Sequence, residues 1–156
     1  IYPNGTLGNE TTALQMVQNG TIGLTKVSAA LLESFSDSYK ILSLPYLYRD
    51  LDHYYSVVNG PIGQSILNSS RDKGFIGLAF LDAGARSFYA DKPIVTPADL
   101  KGMKIRVQNS PLAIDIVKSL GATPVPLPYG ELYSALQQGV VDGAENNIPS
   151  YYTRDH

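Results

Sequence analysis

Three times along this sequence a helical pattern runs into a glycine and then into an extended segment. Glu10 to Gln18 is closed by Gly20 before Thr21 to Val27; Ser110-Pro111 starts a helix to Leu120 that stops at Gly121 before the extended Pro124 to Pro128; Glu131 to Gln138 is closed by Gly139 before Val140 to Ala144. Glycine takes the left-handed conformation that ends a helix at C′ without steric cost. A chain punctuated in this way alternates helix with strand, which requires an α/β fold with largely parallel pairing.

The rest of the pattern fills in around these units. Ile41 to Leu47 reads as extended with Pro45 interrupting it, and helical patterning returns over Leu51 to Val58 and Ile62 to Lys73. Phe75 to Leu81 is a continuous apolar run, expected of a central strand covered on both faces. Ser87 to Tyr89 suits a short strand, and Thr96 to Leu100 a turn or single helical turn with proline at N1. Lys104 to Gln108 alternates: Ile105 and Val107 face one way, Lys104, Arg106 and Gln108 the other. The stretch Leu14 to Ile22 can be laid on Tyr133 to Val141, which fits two similar α/β units joined near Gly84; any helix–Gly–strand unit would also look like this.

Composition narrows the function. The 156 residues carry a net charge of −2 with no long basic run, so there is no electrostatic footprint for nucleic acid. No apolar run approaches the roughly 18 residues that cross a bilayer, which predicts no direct membrane insertion. Cysteine is absent, excluding disulfides, thiol catalysis and cysteine-bound zinc. The opening Ile1-Tyr2-Pro3 reads as the end of a strand, so the expectation is a removed leader or a fragment. Asn4-Gly5-Thr6 and Asn19-Gly20-Thr21 are sequons, better explained as turn chemistry.

Catalytic constellations are missing. The two histidines, His53 and His156, lie in no nucleophile context, and no Gly-x-Ser-x-Gly elbow occurs. Metal-ligand spacing and the phosphate-binding glycine fingerprints are also absent, so neither metal nor cofactor is expected. Asp142 and Glu145 have no obvious partner carboxylate. What remains is a set of polar groups where strands end. Arg106 lies within an otherwise apolar strand, so its guanidinium snorkels to solvent, meets an internal acid or meets a ligand anion. Arg86 has the same alternatives. Asn146 and Asn147 follow the strand over 140–144 at its C-terminal end, where open α/β sheets place ligands. Tyr129, between Pro128 and Gly130, offers a ring to a ligand or to the core.

Asp99-Leu100-Lys101-Gly102-Met103-Lys104-Ile105-Arg106-Val107 resembles the solute-binding subunit of tripartite ATP-independent periplasmic (TRAP) transporters, the DctP-like family. So does Leu136-Gln137-Gln138-Gly139-Val140-Val141-Asp142-Gly143-Ala144-Glu145-Asn146. Tyr2-Pro3, Leu7-Gly8-Asn9-Glu10 and Leu44-Pro45-Tyr46-Leu47 are similar to that family's pattern too, in the right order along essentially the whole chain. The resemblance implies a two-lobed (Venus flytrap) periplasmic-binding-protein architecture, incomplete at both ends because family members are longer. Residues 1–83 would be part of lobe I and 84–156 part of lobe II.

By the same resemblance Arg106 falls on the arginine that clamps the ligand carboxylate, and Arg86 on a second arginine supporting the same group. Asn146 falls on the asparagine that closes the pocket, Asn109 on a polar and Tyr129 on an aromatic pocket position. Glu10 matches an acidic first-lobe position that meets ligand hydroxyls. Ser28 stands where sialic-acid binders carry an acid, which argues against that ligand. Asp82 to Tyr89 together with Glu145-Asn146-Asn147 resembles the sugar-acid branch, implying a hexuronate; a C4-dicarboxylate or a keto or hydroxy acid is the alternative. The implied protein is periplasmic or extracytoplasmic, is no enzyme, closes about a hinge on a small carboxylate and delivers it to TRAP membrane subunits. A sensory ligand-binding domain and a sugar-acid enzyme are the competing classes.

Overall fold

In the computed structural model, which describes residues 1–3 and 5–153, the helix expected over 10–18 forms as α1 (Glu10–Gln18). Asn9 caps it, its side chain accepting the Thr12 N–H at 3.0 Å. Its far end is a Schellman turn: Gly20 has φ +76°, Thr21 N–H bonds Met16 O at 2.8 Å, and Gly20 N–H bonds Val17 O at 3.0 Å. Asn19 Oδ1 also accepts the Thr21 N–H and hydroxyl, which is the turn chemistry expected of that sequon. The other sequon begins at Asn4, which lies outside the described residues, as does His156.

The chain divides into two units, Ile1–Leu81 and Asp82–His156. The first contains α1, α2 (Ala29–Leu32), α3 (Leu51–Val58) and α4 (Pro61–Asn68), with 3-10 turns at Asp37–Leu42 and Arg71–Lys73. Leu14, Ala30, Val58, Ile66, Leu67 and Phe75 are buried in it, and Tyr39 hydroxyl meets Ser70 Oγ at 3.2 Å. His53 is a packing residue: its Nδ1 accepts the Arg49 N–H at 3.3 Å and its ring meets Tyr48 edge-on.

Four expectations fail in this unit. Thr21 to Val27 and Phe75 to Leu81 are not strands, and Leu24, Leu78 and Leu81 are 70%, 71% and 75% exposed. A strand exists only through its ladder, and no strand lies among the described residues of this unit to pair with either segment. Ile41 to Leu47 is not extended either: its start belongs to the 3-10 turn, and Tyr46 has φ 58°. The helix expected to Lys73 ends at Asn68.

The second unit is built on a four-stranded sheet, β1 (Arg86–Ala90), β2 (Lys104–Val107), β3 (Thr123–Pro126) and β4 (Gly143–Asn147), in the order β1-β4-β2-β3. β2 is parallel to β3 and β4; β1 is antiparallel to β4. Pro124 and Pro126 confine β3 to an edge, because alternate residues point their N–H groups the same way. Thr123 and Leu127 donate inward to Met103 O and Val107 O. The helices over Pro111–Ser119 (α5) and Leu132–Gln137 (α6) end in the same Schellman turn as α1, with Gly139 at φ +66° after α6.

Both faces of the sheet are covered. Ile105 and Val107 pack with Leu100, Met103, Val117 and Ala122 on one face. Ala144 packs with Leu132, Ala135 and Val141 on the other, with Tyr89, Val125 and Leu127 alongside. The strand expected over 140–144 is shifted to Gly143–Asn147, because Asp142 anchors its start: Asp142 N–H bonds Lys104 O, and Asp142 Oδ2 accepts the Lys104 N–H at 2.7 Å. Asn146 and Asn147 are therefore the last residues of the strand rather than the loop after it, and a short helix, α7 (Ile148–Thr153), follows at once.

Candidate functional site

Arg106 sits in β2, paired in register with Ala144 of β4 and Val125 of β3, so its side chain shares their face of the sheet. It is 2% exposed, among the most buried large side chains described. Nε and Nη2 both donate to Leu127 O, at 3.0 and 2.7 Å. Leu127 lies between Pro126 and Pro128; the following proline restricts it to extended backbone, which fixes that carbonyl as a rigid acceptor. The opposite edge of the guanidinium is different. Nη1 is buried and has no hydrogen-bond partner.

A buried donor left unmatched costs about 1–3 kcal/mol, more when charged. Burial lowers the Arg106 pKa, the Glu145 carboxylate opposes that and Arg86 adds to it. Among the described residues no carboxylate lies within ion-pair distance of Arg106. Of the alternatives open for this guanidinium in the sequence, the snorkelling one and the internal ion pair are absent. The Tyr129 ring stands over the guanidinium with its centroid 5.8 Å away, and Tyr129 hydroxyl donates to Ser150 O at 3.3 Å. Tyr89 lies close enough to feel Arg106; burial pushes its phenol up to about 12.

Arg86, the first residue of β1, is the arginine with an internal acid. It is held bidentately by Glu145 of β4, with Nη2–Oε1 at 2.9 Å and Nε on Oε2. Nη2 also reaches Glu145 O at 2.8 Å, and Nη1 donates to Asn146 Oδ1 at 3.2 Å. Asn146 is buried and its oxygen also accepts the Asn147 N–H at 2.9 Å. Asn147 is buried too and caps α7, its Oδ1 accepting the Ser150 N–H at 2.8 Å. Asn109 is exposed in the bend between β2 and α5, one residue before Ser110, the N-cap of α5.

Six of the seven residues singled out in the sequence thus lie in the second unit, and Arg86, Arg106, Tyr129, Asn146 and Asn147 gather where β2 and β4 end. Glu10 does not join them. It opens α1 in the first unit, where its Oε1 accepts the Ser28 N–H at 3.1 Å and faces the Lys26 ammonium at 3.7 Å. The Leu127 carbonyl and the role of Glu145 were not foreseen. The Pro-Leu-Pro run is a legible signal for the first, while the second depends on the β1–β4 register. An open depression of about 520 Å³ lies at the other end of the sheet, lined by Lys101, Met103, Val141 and Asp142, and holds none of these residues. Among the described residues no group of three or more His, Cys, Asp or Glu could hold a metal ion. No helix described is long and apolar enough to cross a membrane.

Known proteins are similar to this chain in sequence and fold. The TRAP periplasmic solute-binding protein of Anaerococcus prevotii, solved with bound glucuronate, superposes with a TM-score of 0.94 at 44% identity, covering 97% of this chain and 50% of its own. That of a Bradyrhizobium species, in complex with galacturonate, gives 0.93 at 45% identity, with 96% and 50% covered. The C4-dicarboxylate-binding periplasmic protein DctP of Vibrio cholerae is 34% identical over 97% of this chain and 46% of its own length. The chain spans about half the length of the curated relatives it matches. The model of the bacterial extracellular solute-binding protein family 7, DctP, matches residues 1–156, and the chain belongs to that family.

Proposed function

We propose that the protein carrying this chain captures a small sugar acid, a hexuronate, outside the cytoplasm and hands it to the membrane subunits of a TRAP transporter. One observation carries the reading: a guanidinium closed off from solvent, braced on one edge by the Leu127 carbonyl and left without an anion on the other. Nη1 and the outer N–H of Nη2 form a two-donor edge of the shape a carboxylate accepts. Tyr129, Asn146, Asn147 and Asn109 would line the rest of the ligand on this unit. The two units are assigned as parts of the two lobes of such a binding protein, with Glu10 serving the first. The family is one of solute-binding proteins rather than enzymes, and the sugar-acid choice rests on similarity to the glucuronate and galacturonate binders.

Micromolar binding corresponds to about −8 kcal/mol. A bidentate carboxylate contact, at about 1.5–3 kcal/mol per charge-assisted bond, supplies a large share of that. Calorimetric titration of the complete protein should therefore show glucuronate or galacturonate bound more tightly than succinate. Arg106→Gln should weaken the uronate by roughly 100-fold or more, and Arg106→Lys, which keeps the charge but not the edge, by less. Uronate affinity unchanged in both variants, at the parent's melting temperature, would end the reading.

A further inference from the structure

Arg86 and Arg106 are both drawn to the Glu145 carboxylate, yet their donors are used in different ways. Arg106 keeps an unmatched edge. Arg86 has four of its five N–H donors committed to both Glu145 carboxylate oxygens, the Glu145 carbonyl and Asn146 Oδ1. Resting on the carboxylate reading above, we infer that the Arg86–Glu145 pair is a positioning device for Asn146. It leaves Arg106 and Asn146 offering the ligand carboxylate only hydrogen-bond donors and one net positive charge, and so selects a single ionised carboxylate there.

The orientation of the Asn146 amide follows from what points at it. Arg86 Nη1 and the Asn147 N–H are both donors, and both converge on the same atom, at 3.2 and 2.9 Å. That atom has to be the oxygen, because the NH₂ group has no acceptor capacity to offer two N–H groups. The oxygen is occupied from inside the protein, so what Asn146 has to offer a ligand is its NH₂. Asn147 is fixed likewise, its oxygen taken by the Ser150 N–H. The charges agree with this. Two guanidinium groups stand against one carboxylate, leaving one positive charge for the ligand to neutralise. Arg86 then supports the ligand carboxylate through Asn146 rather than by touching it.

Replacing the ligand carboxylate by an amide tests this directly, since an amide NH₂ would face donors that cannot accept from it. The complete protein is titrated calorimetrically with D-glucuronate and D-glucuronamide. The parent should favour the acid by about 100-fold or more. Arg86→Met, Glu145→Gln and the double variant should each shrink that preference to about tenfold, the double being no worse than either single change because the pair acts as one unit. A purely structural loss would weaken acid and amide equally and leave the preference intact.

Three results overturn the inference: a parent that does not discriminate acid from amide; a Glu145→Gln variant that binds glucuronate more tightly, its Arg86 released onto the ligand; or an Arg86→Met defect much larger than that of Glu145→Gln. Asn146→Asp gives a second check. It keeps the inward acceptor, so its melting temperature should match or exceed the parent's, while its second oxygen repels the ligand and glucuronate affinity falls about 100-fold or more. Undiminished binding by Asn146→Asp means that Asn146 accepts from the ligand, and the inference fails. If the parent ignores uronates, the sugar-acid reading fails alone, and succinate against succinamate puts the donor-only site to the same test. A parent that binds neither acid sinks both.

Discussion

A guanidinium buried in a strand, with one edge unmatched, is an unfavourable way to stabilise a fold. Burial depresses the Arg106 pKa, and the Leu127 carbonyl satisfies only Nε and one N–H of Nη2. Under the proposed function, such a residue is accounted for by the ligand anion it would receive. Tyr129 contributes its ring face, and the Arg106–Tyr129 contact is worth about 0.5–2 kcal/mol by the usual range for cation–π pairs. Tyr129→Phe should leave uronate affinity within about threefold of the parent, whereas Tyr129→Ala should weaken it by roughly 3- to 30-fold; titration calorimetry on both distinguishes ring from hydroxyl. Equal losses in the two variants would assign the effect to the hydroxyl and its bond to Ser150 O. Of these residues, Arg106 was legible from strict alternation in a short strand, and Tyr129 from its place after Pro128. Asn147 was legible as a polar group at a strand end, but its cap to Ser150 depends on a helix, α7, that the sequence reading did not include.

Elements were legible wherever local chemistry alone decides them. Each glycine stop became a Schellman turn, Pro97 opened a helical turn behind Thr96, and the paired prolines 124 and 126 set an edge strand. The two strands placed at 21–27 and 75–81 failed because their evidence was apolar content, and apolar content does not supply a ladder partner. The start of β4 moved because Asp142, noted in the sequence only as a carboxylate with no obvious partner, is a backbone clamp on Lys104. A second carboxylate, Asp99, carries a testable consequence. It accepts the Thr96 N–H at 2.7 Å, the Val95 N–H at 3.0 Å and the Thr96 hydroxyl at 3.1 Å. The Thr96 N–H leads in holding its carboxyl below the ordinary 3.8, with the Val95 N–H and the Thr96 hydroxyl adding to it. Because the folded value lies under the unfolded one, the stabilisation is present above pH 3.8 and is lost as pH falls through the folded value. Asp99→Asn should lower the melting temperature at neutral pH and narrow its difference from the parent in acid. A difference that stays constant from pH 7 down to pH 2 would show that the charge of Asp99 plays no part.

The two units are held by different means, and this sets what chain 1–156 does when expressed by itself. In the second unit β2 runs between β3 and β4 with apolar clusters on both faces, so opening its hydrogen bonds requires disrupting the whole sheet. In the first unit the helices pack on Leu14, Ile66 and Leu67, but 21–27 and 76–81 run across the surface with their leucines exposed. Gly77 N–H is tied to Leu67 O at 3.0 Å, yet no ladder holds the segment around it. Native-state amide exchange on chain 1–156 should therefore rank the amides of 105–107 and 144–146 as the slowest. Those of 22–27 and 78–81 should exchange several orders of magnitude faster, as expected of backbone that opens without global unfolding. Protection over 78–81 equal to that over 105–107 would mean that this apolar run does pair as a strand in solution, and would restore the central strand that its composition suggests. Protection lost uniformly from both regions would instead mean that the sheet of the second unit does not hold without further polypeptide, and the Arg106 pocket would then be measurable only in the complete protein.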